Sequence, residues 1–162
     1  LEIQQKLNDF EGASRIYQRM TAIFTNPKFL EKPGPYLRHA DEILHGAVDS
    51  SISSGDFVAA AESLLSYGAF MLRVGEASRS ETLLREARYY SISQANFETA
   101  AMSHLYLGLL ARGRGDLQEF KDQIRRAKMM AELADDPSVL EAIKNFLNPK
   151  RKDKKEPPTQ LL

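Results

Sequence analysis

The chain has 162 residues, 43% of them hydrophobic, and its 22 lysines and arginines balance 22 aspartates and glutamates. A chain of this length most simply forms one domain with a sizeable core. The absence of cysteine excludes disulfides, a thiol nucleophile and cysteine-based metal sites, and it suits a reducing, cytoplasmic setting. No apolar run approaches the roughly eighteen residues of a membrane span, and no signal-peptide pattern opens the chain. It begins at Leu1 rather than Met and reads as a piece of something longer.

Near the start stands NDFEGAS (8–14), a phrase that returns in altered form as ANFETAA (95–101). Between them SISSGDF (51–57) recurs as SISQANF (91–97), forty residues on. The likeness extends well past the heptapeptide. Phe57, Ala60, Ala61, Gly68, Gly75 and Ala87 return as Phe97, Ala100, Ala101, Gly108, Gly115 and Ala127. A fixed period in this range is the mark of a stacked-repeat architecture. The first copy, about 9–53, is some seven residues longer than the others. The surplus falls in TNPKFLEKPGP (25–35), whose three prolines and glycine forbid a continuous helix.

Each unit reads as two antiparallel helices. In the second, 56–93, the Asp56 carboxylate caps a helix running to about Arg73, with apolar residues at 57, 60, 61, 64, 65, 67, 71 and 72. Gly75 ends that helix. Ser78-x-x-Glu81 reads as a capping box for the next one, where Glu81 and Arg85 make an i,i+4 pair and Leu83, Leu84, Ala87 and Tyr90 face inward. The third unit, 96–135, repeats the plan: a first helix near 96–112, the turn RGRGD, then a second helix from Asp116 to about Leu133 with an Asp122–Arg126 pair. Gly68 and Gly108 lie mid-helix, where glycine costs about 1 kcal/mol relative to alanine. The return is close approach of the partner helix, and Ala87 and Ala127 are expected to serve the same contact. DDPSVLEAIKNFL (135–147) then reads as one more helix, started by Pro137, boxed by Ser138-x-x-Glu141 and apolar along Val139, Leu140, Ile143, Phe146 and Leu147. It is expected to cap the stack over 138–147, because the last repeat of a solenoid needs a cover. Residues 148–162 hold five cations and two anions among prolines, a basic tail or linker beyond a repeat domain of 1–147.

Two spacings carry a family resemblance. Gly68, Gly75-Glu76 and Ala87 in one unit, and Gly108, Gly115-Asp116 and Ala127 in the next, resemble the small-residue pattern of the tetratricopeptide repeat. The resemblance spans residue 9 to about 135, with a period longer than the usual thirty-four. His104 and Leu64 replace a bulky aromatic, Met71 and Ala111 replace a tyrosine, and the proline near each unit's end is missing. It implies an all-α, right-handed superhelix of about three hairpins plus the terminal helix. It also implies a groove lined by the first helices that holds a peptide, a helix or a partner domain. The groove positions are Arg15, Gln18 and Arg19; Glu62, Leu65, Ser66, Ala69, Leu72 and Arg73; and Met102, Leu105, Tyr106, Leu109 and Arg112. The lysines and asparagines of the carboxylate-clamp version do not stand at these places.

Nothing in the sequence assembles a catalytic centre, a metal site or a cofactor site. His39 and His45 are six residues apart and cannot share a helix face, and His104 sits in an apolar helix as a packed residue. No nucleophile elbow or phosphate loop occurs. The Arg114-Gly115-Asp116 tripeptide reads as turn and cap. The expected function is therefore non-catalytic protein binding, as scaffold or adaptor. AAMSHLYLGLLA (100–111) is uncharged and apolar all round, so something beyond its own partner helix must cover it. Three covers are open: the 138–147 helix, a second copy of the chain, or a partner's apolar segment. The alternative function is an effector-sensing domain with a small molecule near Tyr67, Met102 and Tyr106. Nucleic-acid association through the Lys150–Lys155 cluster is the weakest reading.

Overall fold

The computed structural model describes residues 34–148, and among them it forms six helices and no strand. These are α1 (Gly34–Ser53), α2 (Phe57–Arg73), α3 (Ala77–Ser93), α4 (Phe97–Gly113), α5 (Leu117–Leu133) and α6 (Pro137–Leu147). The helices α2 to α5 are each 17 residues long. Helix α1 is the second half of the first unit, whose earlier part lies outside the described residues. Consecutive helices pack against each other, most extensively within the pairs α2–α3 and α4–α5.

One turn design, repeated every twenty residues, makes the hairpins. At the ends of α1 to α4 a backbone N–H reaches back five residues, from Asp56 to Ser51, Glu76 to Met71, Asn96 to Ser91 and Asp116 to Ala111, at 2.8–3.0 Å. The residue just before takes a left-handed conformation: φ is 73° at Gly55, 85° at Gly75, 53° at Ala95 and 81° at Gly115. This geometry satisfies carbonyls that the helix end would leave bare. The residue after it starts the next helix. Asp56, Asn96, Asp116 and Asp136 each accept a backbone N–H of the first turn, from Ala59, Thr99, Glu119 and Ser138 respectively. The twenty-residue spacing hides in the sequence because Ala95, and Asp135 at φ 53°, fill two of the five left-handed positions.

Three local expectations are corrected. Ser78 and Ser138 cap nothing: the N-cap positions are Glu76, which makes no side-chain cap bond, and Asp136. Each serine falls one residue inside its helix, where its side chain cannot reach the free N–H groups. Asp122 pairs with Arg125 at 3.5 Å rather than with Arg126, the i,i+3 position being the nearer one here.

The close approaches of the hairpins occur at the two mid-helix glycines. A Cβ built on Gly68 would lie 2.7 Å from Leu84 Cγ, and one on Gly108 would lie 3.2 Å from Ile124 Cδ1. The Ser80 hydroxyl, fully buried, donates to the Gly68 carbonyl at 2.7 Å and ties α3 to α2 at that point. The nearest atoms to the two glycines come from Leu84, and from Ile124 and Gln123, rather than from Ala87 and Ala127. The two alanines lie one turn further on and serve the clusters of Leu44, Tyr67 and Met71 and of Leu105, Ile124 and Ile143. A third cluster, Leu84, Leu107 and Leu110, joins α3 to α4.

Helix α6 covers the last hairpin. Ile143 is 0% exposed in the same cluster as Leu105, and Val139, Leu140 and Leu147 pack beside it. Phe146 stays half in solvent with its ring edge-on to Tyr106. Of the three covers open to α4, the chain's own terminal helix takes this side. No helix among the described residues is long and apolar enough to cross a membrane.

Candidate partner-binding surfaces

The expected groove residues divide into three groups. Arg15, Gln18 and Arg19 lie outside the described residues. On α2, Glu62 and Arg73 are exposed, Leu65, Ser66 and Leu72 are half-buried, and Ala69 is buried. On α4, Met102, Tyr106 and Leu109 are half-buried, Arg112 is exposed, and Leu105 is 0% exposed. Leu105 therefore presents no surface while α6 is in place, and Met102 packs against the same cluster. Leu65, Leu72 and Tyr106 gather around Leu107 and Leu110 and form a half-buried apolar strip along the seam between α2 and α4. Glu62 joins the two units from this side by accepting from Asn96 Nδ2 at 3.4 Å.

Met102 and Tyr106 lie one turn apart on α4, whereas Tyr67 of α2 packs in the cluster toward α1. The three side chains pack in three different clusters. The Tyr67 hydroxyl turns the other way and donates to Asp41 Oδ1 of α1, while Arg79 of α3 reaches both groups. Burial and the neighbouring Asp41 push the Tyr67 pKa up to about 12. Burial opposes ionisation of Asp41, but bonds from Tyr67 and Arg79 outweigh it and hold the carboxyl below its ordinary range. This triad joins three helices.

Two further networks are structural. Glu81 of α3 accepts from Arg85 at 2.7 Å and from Arg114 at 2.8 Å, so the arginine of the RGD tripeptide is engaged between units. The Arg85 bond, opposed by burial and helped by Arg114, holds Glu81 below the usual carboxylate range. His104 is 2% exposed, with Nδ1 2.6 Å from Gln123 Oε1. Gln123 Nε2 is committed to Glu119 at 2.7 Å, so the imidazole must donate and its proton sits on Nδ1. The packed role read for His104 from sequence is what the structure shows. Among the described residues no cluster of histidine and carboxylate side chains could hold a metal ion, and no buried side-chain N or O lacks a partner.

A second surface went unseen in the sequence. At the end of the stack, α5 and the last residues of α6 enclose an open groove of about 740 Å³. Arg112, Lys121, Arg125 and Lys128 surround it, with Glu132 as its one acidic lining residue. Phe120, Ile124, Met129 and Leu147 supply its apolar lining, and Met129 is 50% exposed. The Arg112 guanidinium lies 5.3 Å from the centre of the Phe120 ring, so it serves this groove. The signal was available: 121, 125 and 128 fall at helical spacing along one side of α5.

These features define the class: an all-helical stack of hairpins with a half-buried apolar strip in one seam and an open groove at its end, and with further single apolar side chains such as Tyr89, Leu117 and Leu133 exposed elsewhere. No protein-family model, no curated protein and no solved structure matches the chain.

Proposed function

We propose that the chain is a repeat module of the tetratricopeptide type, a non-catalytic scaffold or adaptor that holds a partner protein. A cysteine-free chain of this kind suits the cytoplasm. The observation that carries the reading is the strip of Leu65, Leu72 and Tyr106 along the α2–α4 seam, half-buried rather than closed over, with Arg73 exposed on the same pair of helices. An apolar strip beside an exposed cation offers what binding surfaces use: anchors that lose water on contact, and a charge that sets register. The stack itself is held by glycine contacts and satisfied polar networks, which keep such a surface in one shape.

The test is selection of helical and extended peptides from a displayed library on the purified chain. Arg73→Glu together with Tyr106→Ala should weaken the selected peptides at least tenfold while the helical circular dichroism stays unchanged. Peptides indifferent to both substitutions would place binding elsewhere. Metabolite screening by thermal shift should leave the melting midpoint flat, and a rise with a small molecule would favour an effector-sensing domain instead.

A further inference from the structure

We infer that the groove beside α5 and α6 is an empty helix seat, and that its occupant is an acidic amphipathic helix of a partner protein. This rests on the reading of the chain as a partner-binding module but not on the α2–α4 seam.

The forty-residue register supplies the first argument. Lys121, Arg125 and Lys128 of α5 correspond to Glu81, Arg85 and Arg88 of α3, and Leu147 and Asn148 correspond to Leu107 and Gly108. In the preceding unit that ground is covered. Arg114 bonds to Glu81, Glu119 and Arg126 of α5 act electrostatically on the half-buried Arg88, and Gly108 admits Gln123 and Ile124 of α5 against α4. One unit further on, the matching surface is the open groove. A 17-residue helix fills the seat in the third unit, about 26 Å at 1.5 Å per residue, and a helix of similar length fits the fourth.

Charge chooses the occupant. Where the covered seat presents Glu81 to an arginine, the open one presents Lys121. Four cations face one carboxylate around the groove. Among the described residues Lys121 and Lys128 have no ion pair, and Arg125 has a long one to Asp122. The segment after Asn148 begins Pro149-Lys150-Arg151-Lys152, like in sign to the rim and so electrostatically the wrong filler. A second copy seated groove to groove would oppose the same cations. The apolar lining argues against a nucleic-acid backbone, which needs cations but offers no side chain to bury against Phe120, Met129 and Leu147. A helix with carboxylates flanking an i, i+3, i+4, i+7 apolar stripe satisfies both halves of the seat.

The experiment is fluorescence anisotropy on the full chain with four probes: a 17-residue acidic amphipathic peptide, the same composition scrambled, its lysine counterpart, and a short DNA duplex. The acidic amphipathic peptide should bind at least tenfold more tightly than the other three. K121E/K128E, both exposed and remote from the core, should weaken it at least tenfold and improve the lysine peptide. Arg73→Glu should leave it unchanged. Equal binding of the scrambled peptide, tighter binding of the duplex, or indifference to K121E/K128E would each overturn the proposal. Peptide binding lost in Arg73→Glu but kept in K121E/K128E would overturn it while leaving the α2–α4 seam as the binding face. A dimer in light scattering that K121E/K128E dissolves would overturn it in favour of a second copy.

Discussion

Leu84 lies so close over Gly68 that a Cβ on the glycine would stand 2.7 Å from its Cγ and 3.3 Å from its backbone nitrogen. Leu84 is 0% exposed and held in the third cluster, so it has nowhere to retreat. Gly68→Ala should cost about 1–3 kcal/mol through overpacking, in excess of the roughly 1 kcal/mol of helix propensity it recovers. At Gly108 the nearest atom is Ile124 Cδ1, the end of a flexible side chain, at 3.2 Å. Gly108→Ala should come out close to neutral. Urea unfolding of both variants tests the ranking, and a Gly68→Ala variant as stable as the parent would contradict it.

Ala95 carries a left-handed φ of 53° in a turn whose counterparts at 55, 75 and 115 are glycine. An L-residue pays about 1–2 kcal/mol for that conformation, and part of the relief is offset by the extra freedom glycine brings to the unfolded chain. Ala95→Gly should therefore stabilise the protein by about 0.5–1 kcal/mol. Ala95 is exposed, so no packing is lost. A lowered unfolding midpoint would show that the turn is not strained.

Burial lowers the pKa of His104 from 6.5 despite its bond to Gln123. Arg88 of α3 and Arg126 of α5 push the same way, and Glu119 opposes them. The unfolded chain then takes up a proton near pH 6.5 and the folded chain only at lower pH. Stability should fall as pH drops below 6.5 and level off beneath the folded value, with no contribution from this group above 6.5. His104→Asn should flatten that part of the profile between pH 7.5 and 5, measured by thermal unfolding. Parallel profiles would remove His104 from the account.

Ile143 is 0% exposed and joins α6 to Leu105, Ala127 and Ala131. Ile143→Asp should release α6, because an uncompensated charge in that cluster costs more than a short helix gains by docking. Met102 and Leu105 would then meet water, and the variant should self-associate in light scattering. Ile143→Val should cost only about 0.5–1.5 kcal/mol and stay in the parent's state of association. A monomeric Ile143→Asp variant would show that α6 is not the cover of α4.

Much of this architecture is written locally. Helix spans follow from the apolar periodicity and from Asp56, Asn96 and Asp116, because a capping carboxylate or amide acts on N–H groups three residues away. The forty-residue recurrence of Gly68 and Gly108 announces paired helices in close approach, since a glycine there is costly without one. What only the tertiary structure decided is which faces meet. Leu105 and Leu109 look alike in the sequence, yet α6 buries one completely and leaves the other half-exposed. Tyr67, read as a pocket residue, is bonded into a triad spanning α1, α2 and α3. The end groove is assembled from α4, α5 and α6 by non-local packing, so no single stretch of chain encodes it. Helix formation depends on neighbours along the chain, whereas burial and surface charge depend on neighbours in space.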